Sequence, residues 1–405
     1  MPIRRARDPN RRGEAHAQRG PRRFAEVLGL CTSALIVTGV VVAAGRAGLK
    51  PTDAVYSIPN GPTVRVNGAD GAQASSSAQT PPARKDLQIF FVDVEGGQAT
   101  LFVTPAGESL LVDTGWPGNS GRDANRIVAA AKKAGISKIN YVLITHFHQD
   151  HVGGVPELVA RIPVETFIDH GENRESTDSP TVQGWQAYQQ VLATGKYRHM
   201  VPKTGDILPL QGIEATIVSS DASTIADPLR GAGQDNPACN DAPQYPTDQT
   251  ENRRSLGMLV AFGKLRVLDL GDLTHDEEMQ LMCPVNKLGK IDIYIVSHHG
   301  WEQSSSPALV YGIAPRVAIM DNGAKKGGSP SVWDIIEKSP GLEDLWQLHF
   351  SEEGGSAHNV APDFIANPDG PDKANYLELI AHSNGSFAVF NSRTQKTKDY
   401  APKTM

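Results

Sequence analysis

The chain has 405 residues, with 39 Lys or Arg against 45 Asp or Glu and a net charge of −6. Residues 1–23 hold eight arginines against Asp8 and Glu14, so this short block carries +6 and the rest of the chain −12. An acidic body lacks the broad positive footprint of tight nucleic-acid binding, which disfavours DNA or RNA as a partner.

The basic block runs into the almost wholly apolar segment 27–44, which ends in the small residues Val42, Ala43 and Ala44. A basic n-region, an apolar h-region and a small-residue cleavage site together make an export signal. The segment is long for a cleaved signal and near the minimum for a spanning helix, so a cleaved signal and an uncleaved signal-anchor both stand. In either case the arginines stay cytoplasmic and the remainder is exported, periplasmic or extracellular. The membrane is then a partner if the segment is uncleaved. Residues 46–85, rich in Gly, Pro, Ala and Ser and without periodicity, form a flexible linker. Residues 86–400 follow as one catalytic domain, after an N-terminal region of residues 1–45.

Within that domain the spacing predicts strands at 87–94, 99–103 and 109–112, and a helix at 123–134 stopped by Gly135. Strand 141–145, helix 155–162, strand 166–169 and helix 181–194 follow. The second half repeats the scheme with strands 215–218, 257–262 and 265–270, helix 275–282, strand 291–296 and helix 307–313. Strand 316–320, helix 331–338, strand 345–349 and a hairpin of 376–382 with 386–390 complete it, Asn384 and Gly385 forming the turn. Two sheets flanked by helices account for this count. The fold class is α/β, a four-layer αββα sandwich with its site along one edge.

Four metal-seeking side chains, His146, His148, Asp150 and His151, follow the apolar run 141–145 within six positions. On extended chain, residues two apart point the same way, so His146 and His148 can grip one ion. Asp150 and His151 lie beyond the bend, where Gly153 and Gly154 permit a tight backbone, and can reach a second ion. Imidazole and carboxylate suit Zn, Mn or Fe. Three other apolar runs end in the missing partners. Asp113 is placed to orient a ligand histidine. Asp272 can bridge two ions, and His298 with His299 forms an adjacent pair. A single Asp after a strand is usually a cap or turn residue; it is the ordered set of four that carries the signal.

This order resembles the metallo-β-lactamase superfamily, and within it the ComEC-type competence hydrolase domain and its secreted relatives. The matching positions are Phe91, Asp93 and Gln98; Val112, Asp113 and Gly115; the His146 to His151 cluster; Asn252, Arg253, Arg254 and Ser255; Gly271 and Asp272; and Ser297 to Gly300. The resemblance covers roughly residues 86–325 and implies the αββα fold. It also implies two divalent transition metals, Zn first, with Mn or Fe as alternatives. Site one would take His146, His148 and a third ligand. Site two would take Asp150, His151 and either His298 or His299, with Asp272 bridging. The usual midway histidine of site one is absent. His170, closing strand 166–169, is the substitute and His199 the second candidate. Asp93, Asp113, Asn252 and Ser255 are expected around the ligands or the substrate, and His275 as an outer residue. His16, His349, His358 and His382 are expected to be structural or solvated.

Two departures from the ComEC pattern bear on substrate. Glu95, Gly96, Gly97 and Gln98 stand where that family has Gly-Gln-Gly-Asp. Lys325 and Lys326 lie on a glycine-rich loop that replaces its Asn and His-Pro elements. These lysines either hold an anionic substrate group or are solvated surface residues. Cys239 and Cys283 lie in the exported body and either pair or stay free; Cys31 lies inside the apolar segment. The expected activity is that of an exported metal-dependent hydrolase, with Asp150, Asp272, His298 and His299 at the reaction centre. A bridging water, made a hydroxide by two ions roughly 3.5–4 Å apart, would attack a small-molecule or surface-linked ester or phosphoester. The alternatives are a ComEC-like nuclease and a non-catalytic metal-containing binding or sensing protein.

Overall fold

The computed structural model describes residues 85–240, 242–368 and 373–403. The expected export segment 27–44 and all but the last residue of the linker 46–85 lie outside the described residues. Among the described residues no helix is long and apolar enough to cross a membrane.

Period-two patterning explains the layers. Along the strand Leu87–Phe91, Leu87, Ile89 and Phe91 enter the core between the sheets, while Phe90 faces the opposite side. The first sheet has the order Lys396–Tyr400, Phe387–Asn391, Leu377–Ala381, Leu87–Phe91, Thr100–Val103, Ser109–Val112, Ile139–Leu143, Val164–Ile168 and Arg198–Met200. The second has the order Ile365–Asn367, Asp344–His349, Val317–Met320, Ile293–Ile295, Leu265–Asp269, Gly257–Phe262, Glu214–Ser220 and Ser223–Thr224. Their inner faces share one core, in which Phe102, Leu143 and Leu377 meet Met258, Val267 and Ile319. Helices Arg122–Lys133 and Ser179–Leu192 cover the outer face of the first sheet. Helices His275–Met282, Pro307–Ile313 and Pro330–Glu337 cover the second. The αββα sandwich is therefore present.

Two parallel runs set the site edge. Ser109–Val112, Ile139–Leu143 and Val164–Ile168 are mutually parallel in the first sheet. Leu265–Asp269, Ile293–Ile295 and Val317–Met320 are parallel in the second. The loops leaving their C-terminal ends carry Asp113, the His146 cluster, His170, Asp272, the His298–His299 pair and Asp321.

Element boundaries differ where local chemistry overrides spacing. Strand 141–145 is observed as Ile139–Leu143, because Thr145 is drawn off the ladder by Asp113. The helix expected at 181 begins at Ser179, since Asp178 accepts from the Thr181 N–H as an N-cap. Strands Arg198–Met200, Ile365–Asn367 and Lys396–Tyr400 were not expected: two are three residues long, and the third is a largely exposed edge strand carrying Lys396, Lys398 and Asp399. Cys239 and Cys283 form a disulfide, with Cα atoms 5.8 Å apart. It ties the long loop before Glu251 to the end of helix His275–Met282.

Candidate metal centre

The cluster is shaped by backbone before side chains act. Asp113 accepts from the Thr145 N–H at 2.8 Å and from its hydroxyl at 2.7 Å, bending the chain out of the sheet. His148 is extended (φ −63°, ψ 149°) and opens the short helix Gln149–Val152. The chain around Asp150 is closely packed, for a Cβ on Gly97 would lie 2.4 Å from the Asp150 carbonyl oxygen. Gly271, at φ +55°, lies so near Thr145 that a Cβ there would stand 2.8 Å from the Thr145 Cβ. The Gly271–Thr145 approach brings loops of the two sheets together.

The predicted ligands converge in two sets. His146 Nε2 faces His148 Nδ1 at 3.0 Å and Asp272 Oδ2 at 3.9 Å. On the other side, His151 Nε2 lies 3.2 Å from Asp150 Oδ2, 3.2 Å from Asp272 Oδ2 and 3.2 Å from His299 Nε2. His299 Nε2 is 3.3 Å from Asp150 Oδ2 and 3.5 Å from Asp272 Oδ1. One ligand atom from each of Asp150, His151, Asp272 and His299 falls within 4.8 Å of all the others. Of the adjacent pair, His299 therefore joins the Asp150–His151 set. His298 Nε2 lies 3.4 Å from Asp272 Oδ2 and 3.5 Å from Asn252 Nδ2, and its ring stacks on Trp301.

Divalent transition metals fit this donor set. Imidazole nitrogens face one another at hydrogen-bond distance, and Asp272 Oδ1 is buried without a hydrogen-bond partner among the described residues. Imidazoles and carboxylates so crowded want a cation among them.

Carboxylates hydrogen-bond the outer nitrogens of two of these rings and stand near that of a third. Asp113 Oδ2 lies 2.7 Å from His151 Nδ1, as expected from sequence. Two others were missed: Glu175 Oε2 at 3.0 Å from His148 Nε2, and Asp321 Oδ1 at 3.4 Å from His299 Nδ1. Asp321 could have been found as an Asp closing a parallel strand. Glu175 sits in a loop with no comparable signal. Ser255 joins the site as expected, its Oγ accepting from the Asp272 N–H at 3.2 Å and lying 3.4 Å from His146 Nδ1.

Four expectations need correction or division. His170 ends a neighbouring parallel strand but does not reach the cluster. Phe147 points away from the His146 and His148 side, and the His170 ring packs on it at 4.6 Å, with His170 Nε2 on Glu251 at 2.9 Å. His199 is bound to Asp169 at 2.7 Å, so neither candidate completes site one. Asp93 is held 2.7 Å from His349 and 3.1 Å from Arg126, and with Glu95 and His349 it forms a second metal-capable group apart from the Asp150–His299 cluster. His349 is buried. The lysines divide: Lys325 is exposed, whereas the Lys326 ammonium contacts Asp150 Oδ2 and lies 5.2 Å from the centre of the Trp116 ring.

The fields are strong because the groups are buried. Burial resists charge on Asp150, but Lys326 and His151 hold its carboxyl well below the usual range. Burial also resists charge on Asp272, yet His151, His298 and His299 keep it ionised. Burial, with His151 and His148 nearby, pushes His146 well below the ordinary histidine value. Burial opposes protonation of His299 too, but Asp272 and Asp321 raise it to about 10 despite Lys326. Behind them, burial lifts Asp269 to about 7, while Gln98 donates to both its oxygens.

A family profile described as the metallo-beta-lactamase superfamily matches residues 92–232. Recombination protein 2 of Haemophilus influenzae is 27% identical over 243 residues, covering 58% of this chain and 24% of that protein. A hydroxyacylglutathione hydrolase of Stenotrophomonas maltophilia is 31% identical over 106 residues, covering 26% of this chain and 37% of that protein. The chain thus spans about a quarter and somewhat over a third of the length of these two relatives. A solved metallo-beta-lactamase fold protein from Bacillus subtilis is 11% identical, with a TM-score of 0.40, covering 65% of this chain and 95% of that one. Over residues 92–232, and in its metal-ligand order and αββα layers, this chain is similar to the metallo-beta-lactamase superfamily and to the ComEC-type hydrolase domain.

Proposed function

We propose that the protein is an exported hydrolase that holds two divalent transition metals and cleaves an ester or phosphoester. The carrying observation is the convergence of Asp150, His151, Asp272 and His299 beside the His146–His148 pair. His146, His148 and Asp272 Oδ2 would hold one cation, with His298 Nε2 facing the same carboxylate oxygen. Asp150, His151, His299 and Asp272 would hold the other. Two such cations, Zn first, supply Lewis acidity and a hydroxide at neutral pH. The chain's own groups do the positioning. Asp113 and Glu175 fix the planes of His151 and His148, Asp321 lies 3.4 Å from His299 Nδ1, and Asp150 would accept a hydrogen bond from an attacking water. Lys326 lies beside Asp150 and can neutralise an anionic oxygen of the substrate.

A nuclease reading draws on the match to Recombination protein 2. The −12 body opposes it. Purified protein should be assayed against phosphodiester, carboxylic ester, lactone, β-lactam and DNA substrates, with metal content measured in parallel. Turnover of an ester or phosphoester that disappears with chelation supports the proposal. Turnover of DNA alone supports the nuclease, and full metal content with no turnover supports a binding or sensing role.

Export draws on the arginine block, segment 27–44 and the linker. A reporter active only outside the cytoplasm, fused after residue 84, should be active; a signal confined to cytoplasmic reporters overturns export.

A further inference from the structure

A cavity of about 710 Å³ opens beside the ligand cluster, and the proposed chemistry leaves it unused. Three loops that deliver cluster residues continue into its wall. Thr250 lies two residues before Asn252, Thr274 lies two after Asp272, and Glu302 follows Trp301, whose ring stacks on His298 at 5.9 Å. The volume falls within the range of small-molecule sites, and the location suits the part of a substrate remote from the reacting bond.

The lining selects the ligand. One part of the wall is an aromatic pair, the Tyr245 ring lying 4.1 Å from that of His275. Apart from Pro246, the rest is hydroxyls, amides and carboxylates, with no lysine or arginine. Asp276 is held by Arg253 at 3.0 Å and by the Thr274 hydroxyl at 2.7 Å. The Glu302 and Gln303 side chains have no hydrogen bond or ion pair among the described residues. Arg253 is spent on Asp276, so an anion would still meet the Asp248 and Glu302 carboxylates, and an apolar group would strip water from polar groups without replacing its hydrogen bonds. A ring bearing several hydroxyls meets both demands. Its O–H groups donate to Glu302 and to amide oxygens, its oxygens accept from amide N–H groups, and its C–H face packs on Tyr245.

We propose that this cavity binds a carbohydrate ring, the sugar portion of the ester or phosphoester cleaved at the metal centre. The sugar's place in turnover rests on the hydrolase reading; its binding does not. The first test is saturation-transfer NMR on the metal-loaded full chain with a panel of methyl glycosides (gluco, galacto, manno and N-acetylglucosamine). At least one should receive saturation. Tyr245→Ala should abolish the transfer, Glu302→Gln should weaken it and Tyr245→Phe should retain it, all three variants keeping wild-type metal content. The second test compares a p-nitrophenyl phosphodiester of the bound glycoside with methyl p-nitrophenyl phosphate. Tyr245→Ala should raise KM about tenfold for the sugar ester, the equivalent of about 1.4 kcal/mol, and leave the methyl ester unchanged. No transfer to any glycoside, or undiminished transfer in the metal-loaded Tyr245→Ala variant, overturns the proposal even if the methyl ester is hydrolysed. Transfer with neither ester hydrolysed leaves the sugar site standing and counts against the phosphodiesterase form of the hydrolase reading.

Discussion

Glu175 and His148 illustrate how a ligand is held as well as supplied. The carboxylate fixes which nitrogen of the ring faces the cluster. Glu175→Gln should weaken metal retention roughly 10–100-fold, measured by competition with a chromogenic chelator, because outer carboxylates set ring orientation and basicity. Unchanged retention would reduce Glu175 to a surface contact. His170 gives the opposite expectation. It is buried against Phe147 and bonded to Glu251, so His170→Ala should leave metal content intact while destabilising the fold by about 1–3 kcal/mol. Urea unfolding and elemental analysis on the same sample separate these outcomes; loss of metal with unchanged stability would make His170 a ligand. At this scale the sequence was informative for residues packed into short motifs, namely His146, His148, Asp150, His151 and the His298–His299 pair. It was silent on Glu175, which lies 27 positions from its partner.

Alternation along one strand exit explains both the success and the failure over the ligands. His146 and His148 share a direction, and that was legible; Phe147 between them faces the other way, and its packing on His170 was not. Buried strands declared themselves through apolar runs, whereas the edge strand Lys396–Tyr400 did not, since solvated charges there serve to block further pairing. The disulfide also acts at the level of elements. Cys239 and Cys283 are separated by 44 positions, and the bond pins the loop that leads to Glu251 and Asn252. Replacing both cysteines by alanine should cost about 2–4 kcal/mol in a denaturant titration. The same titration with an unchanged midpoint would show that the loop holds its place without the bond. Gly271 is a sharper test of the turn. At φ +55° and against Thr145, Gly271→Ala should displace Asp272 and lower metal affinity, read by chelator competition. Wild-type affinity would mean that the turn is not what places Asp272.

Across the whole molecule, two parallel strand runs from separate sheets direct buried carboxylates and imidazoles to a common edge. The αββα architecture followed from the strand–helix count, but the closeness of the two halves did not, because it depends on glycine contacts between distant loops. One consequence is proton linkage. Without metal, Asp272, Asp150 and Asp113 raise His151 well above its ordinary value against the opposing effect of burial, and Asp272 with Asp321 raises His299 to about 10. His299 then carries a proton at pH 7 that a metal must displace, and the shift of His151 acts in the same direction. Adding Zn to the chelator-treated protein in weak buffer should therefore release protons, and affinity should fall as pH falls. Zinc uptake with no proton release would show that these rings are neutral beforehand.

The most direct test is the number of metals per chain, counted by elemental analysis of protein purified without chelator. On the proposed reading, the two donor sets sharing Asp272 hold two ions per chain, and Asp272→Asn should lose at least one of them. One ion or none in the wild-type protein, or two retained in Asp272→Asn, would contradict the dinuclear account.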